Sequence, residues 1–198
     1  HETIRDGEPL FIGQDFNVGE MFSAIAVRRV DGFHVVAELA GVLDTPEAIR
    51  IIRDRYAGHA IRVYPDASGK SRKTVDASRS DLILLRDAGF RVVVNPTNPA
   101  VRDRIVSVNS AFENARLWVN SRACPKLAAA LEQQAYAANG EPDKEGGFDH
   151  PVDSLGYMVV KEMPVRKPSR DAATVQPPPA PRDYRPQKPD EGEQGWMI

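Results

Sequence analysis

Cysteine is almost absent from this chain of 198 residues, where Cys124 is the single example. One thiol excludes an internal disulfide framework and fits a reducing compartment. No apolar run approaches the roughly 18 residues of a membrane span and no signal peptide is visible, so we expect no membrane partner. An excess of one charge is also lacking, because the formal net charge is −2. That value excludes a global basic field for nucleic acid, so any such surface must be local.

What is present is the composition of an ordinary soluble protein, with 41% hydrophobic and 27% charged residues. A chain of this length can bury a sizeable core and is most simply one domain with additions. Beyond Met163 prolines recur among charges with few apolar residues. We therefore predict a folded domain over residues 1–163 and a proline-rich, flexible tail over residues 164–198. The opening His1, in place of Met, suggests a piece of a longer protein.

The order of the predicted elements indicates an α/β fold. A first strand ends near Asp15, and two further strands over residues 21–29 and 32–39 complete a meander. Helices then alternate with strands, of which the fourth covers residues 60–64, and a last helix covers residues 151–162. This order predicts a mixed central sheet with helices on its faces, the first strand lying centrally and the fourth beside it.

The first candidate functional group is a carboxylate near the end of a buried strand. Phe11, Ile12 and Phe16 form a short apolar run typical of a strand covered on both faces, and Asp15 lies near its end. An unpartnered carboxylate there would cost several kcal/mol or lose its charge. Asp15 is therefore either a structural hydrogen-bond acceptor at the strand exit or a metal ligand.

A second carboxylate, Asp66, follows the fourth strand. If the first and fourth strands are parallel neighbours, both carboxylates emerge at one sheet edge, where open α/β sheets form ligand sites. The alternative is a simple turn, since Pro, Asp, Ser and Gly in PDASG all have turn roles.

The third element is the stretch GGFDHPVDSLGY near the last helix. Asp149 or His150 can cap a helix whose first position is Pro151, which puts Asp153 in the first turn, on the face of Asp149. An acid at a helix start is often only a favourable dipole partner. Three carboxylates from two strands and one helix are also what two Mg²⁺ or Mn²⁺ ions need for phosphoryl displacement.

These three motifs together carry a resemblance. IGQDFNVG, VYPDASG and FDHPVDSLGY, in this order and spacing, resemble the nuclease domain of the large terminase subunit of tailed bacteriophages over most of residues 8–163. The last motif is similar to the family's Asp-His-x-x-Asp-Ala-x-Arg-Tyr. The resemblance implies a ribonuclease-H-like fold and a metal-dependent endonuclease that cuts concatemeric viral DNA during genome packaging. It also implies an ATPase motor domain ahead of this one, and the small terminase subunit and capsid portal as partners, in the host cytoplasm.

Carried over by position, Asp15, Asp66 and Asp153 resemble the family's catalytic metal ligands for two ions, and Asp149 and His150 match accessory positions. The chain departs from the family at Asn17, where a glycine is frequent, and at Ser154 and Gly156, which replace the usual alanine and arginine. The last change removes one cation near the predicted site.

Local basic residues are the candidates for binding double-stranded DNA. Lys70, Arg72, Lys73 and Arg79 cluster after Asp66, and Lys144 precedes the last motif. Such residues suit phosphate contacts without base readout, although a solvated loop explains them equally well.

The leading hypothesis from the sequence is an Mg²⁺- or Mn²⁺-dependent endodeoxyribonuclease with little sequence specificity. The alternatives are another ribonuclease-H-like enzyme, of the junction resolvase or transposase type, and a docking module that binds DNA or the portal without cutting. Carboxylates far apart would favour the docking module.

Overall fold

The computed structural model describes residues 2–17, 20–67, 75–135, 137, 142–143 and 146–165, with the backbone alone for residues 75–80. One compact unit ends at Val165. Nearly all of the tail predicted for residues 164–198 lies outside the described residues, so the division at Met163 stays a prediction.

Six strands form one mixed sheet in the order β5-β4-β1-β2-β3-β6. The strands are β1 (Leu10–Asp15), β2 (Met21–Arg29), β3 (Gly32–Val42), β4 (Ile61–Pro65), β5 (Arg91–Val92) and β6 (Leu117–Val119). The helices are α1 (Thr45–Arg55), α2 (Val75–Asp87), α3 (Val101–Glu113), α4 (Pro125–Gln133) and α5 (Asp149–Glu162).

The first strand occupies the centre of the sheet, as its apolar run predicts. All six residues of β1 are buried. β1 pairs antiparallel with β2 on one side and parallel with β4 on the other. The predicted central position of β1 and the predicted place of β4 beside it are thus confirmed. The carboxyl ends of β1 and β4 lie at the same sheet edge.

Helices cover both faces of the sheet and enclose two separate cores. Val108 of α3, Leu127 of α4 and Leu155 of α5 pack with Phe11 and other residues on one face. On the other face, α1 and α2 pack over a core that includes Ile12 and Val63. The predicted α/β architecture is confirmed. Within the described residues no helix is long and apolar enough to cross a membrane.

Several predicted boundaries are wrong by a few residues. The last helix begins at Asp149 rather than at Pro151, and Phe148 is its N-cap with no side-chain capping bond. Asp149 and His150 therefore lie inside the first turn instead of capping it. Trp118 is 44% exposed and lies in the edge strand β6.

Candidate functional site

A cavity of about 500 Å³ opens where β1 and β4 end and α5 begins. All five residues that the sequence predicts as catalytic or accessory line this cavity: Asp15, Asp66, Asp149, His150 and Asp153. Asp15 is the last residue of β1, and Asp66 directly follows β4. The parallel pairing of these strands and the first two turns of α5 thus bring together groups that are far apart in the sequence. Asp153, predicted in the first turn, lies in the second, because the helix begins at Asp149.

Asp15 is held by a histidine from α5. Its Oδ2 lies 2.9 Å from Nδ1 of His150, and the other ring nitrogen, Nε2, lies 2.8 Å from Nδ2 of Asn17. An amide nitrogen donates, so Nε2 accepts and the proton on Nδ1 is donated to Asp15. The network therefore orients the histidine ring and assigns its neutral tautomer. Asn17, noted as a departure from the family's glycine, has a side chain that takes part in this chain of bonds.

Asp66 is bonded to an asparagine from the segment before α3. Nδ2 of Asn98 donates a hydrogen bond to Oδ1 of Asp66. Oδ1 of Asn98 accepts from the backbone N–H of Ala67 at 2.6 Å. One side chain therefore holds both the carboxylate and the backbone that follows it.

Asp153 is paired with a buried arginine from α3. Nη2 of Arg104 donates to Oδ1 of Asp153 at 2.7 Å, and the arginine side chain is only 5% exposed. The guanidinium also lies over the ring of Tyr157, 4.7 Å from its centroid. Burying an arginine is costly unless it is paired, so this contact is a substantial part of the packing of α3 on α5.

Asp149 contributes a carboxylate oxygen with no conventional partner. Its Oδ1 is buried and has no hydrogen bond within the part of the chain that the structure describes. The nearest ion-pair contact is with Nε2 of His150 at 3.8 Å. A buried carboxylate oxygen without a hydrogen bond is unfavourable by itself, and its chemistry fits a ligand of a cation.

The charges of the site shift two pKa values. The hydrogen bond with Asp15 raises the pKa of His150 above its ordinary value of 6.5, against the effect of burial. Burial raises the pKa of Asp153, and Arg104 only partly opposes this shift. Neighbouring carboxylates raise both pKa values further, since four of them share a cavity that is lined by one arginine among the described residues.

The donor set fits a hard divalent cation, although the side chains do not form a finished coordination site. Among the described residues, no three His, Cys, Asp or Glu side chains are placed to hold a metal ion. Asp15 and Asp153 each give one oxygen to a protein partner, His150 and Arg104 respectively. Carboxylate oxygens from separate elements, with the buried Oδ1 of Asp149, are nevertheless the ligand chemistry that Mg²⁺ and Mn²⁺ prefer.

The predicted DNA-binding residues fall almost entirely outside the described part of the chain. This is true of Lys70, Arg72, Lys73 and Lys144. Arg79 lies in α2, in the part where only the backbone is described. Their role stays a prediction.

Sequence reasoning missed Asn98 and Arg104. The sequence suggests Asn98 only as the start of a helix, and Val101, Ile105, Val108 and Phe112 predict one apolar stripe on that helix. Of these four, Val108 is buried, whereas the other buried residues of α3 are Arg104, Ser107 and Ala111. The small residues Ser107, Ala111 and Gly156 were the available signal, since they mark a close approach of two helices.

Sheet order, helix placement and the acidic cavity together define an α/β nuclease-like domain of the ribonuclease-H-like class. A sequence model of the terminase RNaseH-like domain matches residues 12–162. The chain belongs to this family, and the predicted resemblance is confirmed. No curated protein matches the chain.

Solved large terminases share the fold. The nuclease domain of the P22 large terminase superposes with a TM-score of 0.62 at 16% identity, covering 82% of this chain and 86% of that one. The magnesium-bound large terminase nuclease of thermophilic phage G20c gives 0.52 at 17% identity, covering 77% and 81%. The large terminase of thermophilic bacteriophage D6E, in complex with ATP-gamma-S, gives 0.61 at 18% identity and covers 80% of this chain. This chain spans only 41% of that D6E protein.

Proposed function

We propose that this chain is a metal-dependent endodeoxyribonuclease that cuts concatemeric viral DNA during genome packaging, with little sequence specificity. The observation that carries the proposal is the meeting of four carboxylates, from β1, the end of β4 and the first two turns of α5, in one cavity. Membership of the terminase RNaseH-like family supports it.

Electrostatics explains why the site would need metal ions. A DNA phosphodiester is an anion, and Asp15, Asp66, Asp149 and Asp153 would repel it from a cavity where the described residues supply one arginine. We assign Asp15, Asp66 and Asp153 as the ligands of two Mg²⁺ or Mn²⁺ ions, with Asp149 as an accessory group. When bound, such ions supply a nucleophile from water and stabilise the charge of the attacking and leaving oxygens. The magnesium bound to the G20c nuclease supports this choice of ion.

The protein's own groups would orient Asp15 and transfer protons. His150 donates from Nδ1 to Asp15 and accepts at Nε2 from Asn17, so the ring is fixed at the cavity wall. The hydrogen bond with Asp15 raises its pKa above the ordinary 6.5, which makes the ring a stronger base. We assign His150 as an accessory residue that takes up or returns a proton during hydrolysis.

The partners of the whole protein are part of the proposal. The D6E large terminase, which was solved with ATP-gamma-S, is more than twice the length matched here. We infer that an ATPase motor domain accompanies this domain, and that the small terminase subunit and capsid portal assemble with it in the host cytoplasm. DNA phosphates would contact Lys70, Arg72, Lys73, Arg79 and Lys144.

Cleavage of a supercoiled plasmid with Mg²⁺ or Mn²⁺ tests the activity directly. We expect nicking and linearisation that EDTA abolishes. Asp15→Asn should lower the rate about a thousandfold, because a metal ligand is worth several kcal/mol in the transition state. Asp54→Asn, at an exposed position of α1, is the matched control and should cut normally.

Four outcomes would contradict the proposal. A folded chain that neither binds Mn²⁺ nor cuts DNA would favour the docking module. Strong preference for a four-way junction over plasmid would favour a resolvase, and joining of the cut ends would favour a transposase-type enzyme. Full activity in Asp15→Asn would remove Asp15 from the site.

A further inference from the structure

The stretch from Asn98, before α3, to Arg104, in the first turn of α3, contacts two of the carboxylates that we assign as metal ligands. At its start, Asn98 donates to Oδ1 of Asp66 and accepts from the N–H of Ala67. Six residues later, Arg104 donates to Oδ1 of Asp153. Asp66 follows β4 and Asp153 lies on α5, so this one segment joins the two sides of the cavity.

A further bond makes the two contacts parts of one unit. Nη1 of Arg104 donates to the carbonyl oxygen of Pro99 at 2.9 Å, and Pro99 directly follows Asn98. The backbone N–H of Arg104 also bonds to the carbonyl of Ala100 at 3.1 Å. The arginine therefore folds back on the turn that carries Asn98, so a displacement of one contact would move the other.

The packing of α3 on α5 provides space for this arginine. A Cβ placed on Gly156 would lie 3.1 Å from Cβ and 3.4 Å from Cδ of Arg104. With glycine there, the arginine stem passes across α5, and its guanidinium reaches Asp153 and the ring of Tyr157. The cation beside Asp153 therefore comes from α3.

A purely structural ion pair is the competing explanation. Arg104 has its Nε buried and without a hydrogen bond among the described residues, so the guanidinium is not placed for the best possible bonding. Its strongest contact is nevertheless with a carboxylate that lines the cavity and keeps 29% exposure. Stability alone would not require that Arg104 pairs with Asp153, nor that Asn98 bonds to Asp66.

We propose that Asn98, Pro99 and Arg104 form a positioning bracket that sets the separation and orientation of Asp66 and Asp153 for metal binding. The inference rests on the proposed function and deepens it. Asn98 and Arg104 act through the carboxylates and do not themselves touch the reacting atoms. Partners that orient metal ligands in this way typically change metal affinity or activity by 10- to 100-fold when removed.

The test compares Arg104→Met and Asn98→Ala with matched controls on α3. Arg102→Met and Asn109→Ala change exposed residues of the same types on the same helix. For each full-length variant, Mn²⁺ binding is measured by electron paramagnetic resonance, the Mg²⁺ concentration for half-maximal plasmid cleavage is determined, and the melting temperature is recorded without metal.

We expect both bracket variants to need at least about 10-fold more Mg²⁺ and to bind Mn²⁺ correspondingly weakly. The two controls should match the wild type. Arg104→Lys should recover part of the loss, because an ammonium keeps the charge but not the fork that reaches Pro99 and Asp153 together. If Arg104→Met does not fold, Arg104→Lys and Asn98→Ala carry the test.

The experiment distinguishes a failure of the bracket from a failure of the proposed function. A lower melting temperature with unchanged Mn²⁺ binding and an unchanged Mg²⁺ requirement would make Arg104 a structural residue and overturn the bracket alone. A wild-type chain that neither binds Mn²⁺ nor cuts DNA would overturn the proposed function, and the bracket with it.

Discussion

At the scale of single residues, the site is a set of carboxylates restrained by neutral and cationic neighbours. Asp15 bonds to His150, Asp66 to Asn98, and Asp153 to Arg104. Each restraint comes from another element, so no carboxylate depends only on its own strand or helix for orientation. Such restraint limits the rearrangement needed when a cation binds, which is the general benefit of a preorganised site.

His150 offers a prediction about pH. Because its pKa is raised from 6.5, chiefly by the bond with Asp15, the folded state binds the proton more tightly than the unfolded state. Its contribution to stability is therefore complete below pH 6.5 and is lost as the pH rises through the folded-state pKa. An NMR titration of the metal-free protein should place the His150 pKa above 6.5.

Asp15→Asn is the control for that titration and should return the His150 pKa toward its ordinary value, because the largest cause of the shift is removed. Saturating Mg²⁺ should also lower the pKa, since a nearby cation disfavours the imidazolium. A wild-type value at or below 6.5 would contradict the hydrogen bond between His150 and Asp15.

At the scale of elements, the site depends on how closely α5 lies on β1. A Cβ on Gly13 would come within 1.9 Å of the carbonyl oxygen of Ser154, which is backbone and cannot move aside. Glycine at this position of β1 therefore allows the first two turns of α5, with His150 and Asp153, to reach the end of the strand.

Gly13→Ala tests this approach. The added methyl must push α5 away from the sheet, which should destabilise the fold by at least about 2–3 kcal/mol and lower the melting temperature by about 5–10 °C. Gly41→Ala is a useful comparison, because Gly41 has a φ of +72° but no atom within 4 Å of an added Cβ. It should cost only about 1–2 kcal/mol, from backbone strain. Equal melting temperatures for the two variants would argue against the close contact.

At the scale of the whole molecule, both cores are built by residues up to Met163. Val159 and Met163 belong to the core that includes Phe11. In the other core, the last buried residue along the chain is Phe90. The compact unit ends at Val165. The fold thus has its hydrophobic contacts within residues 2–165, as far as the structure describes them.

A chain truncated after Val165 should therefore fold and keep its metal-dependent cleavage. We expect a melting temperature within about 2 °C of the full chain, because no described core contact is removed. Truncation after Gly156 is the contrasting variant, since it deletes Tyr157, Met158 and Val159 from one core and should leave the chain unfolded. The melting of both truncated chains is measured by circular dichroism. An unfolded chain after truncation at Val165 would show that folding needs the tail.

Much of this architecture could be predicted from local sequence patterns. Continuous apolar residues around Phe11 indicated a central strand, and the acids at the ends of strands indicated one sheet edge. Boundaries were less accurate, because the start of α5 at Asp149 depends on packing of its first turn rather than on a capping residue.

The sequence by itself determined the order of elements and the positions of the acidic residues, because periodicity, turn residues and motif spacing are short-range properties of the chain. Only the tertiary structure decided which groups hold those acids. Asn98 reaches Asp66 across 32 residues, and Arg104 reaches Asp153 across 49. These contacts depend on the packing of α3 against α5 at Gly156 and on the turn before α3, and no short-range pattern encodes the relative placement of two helices.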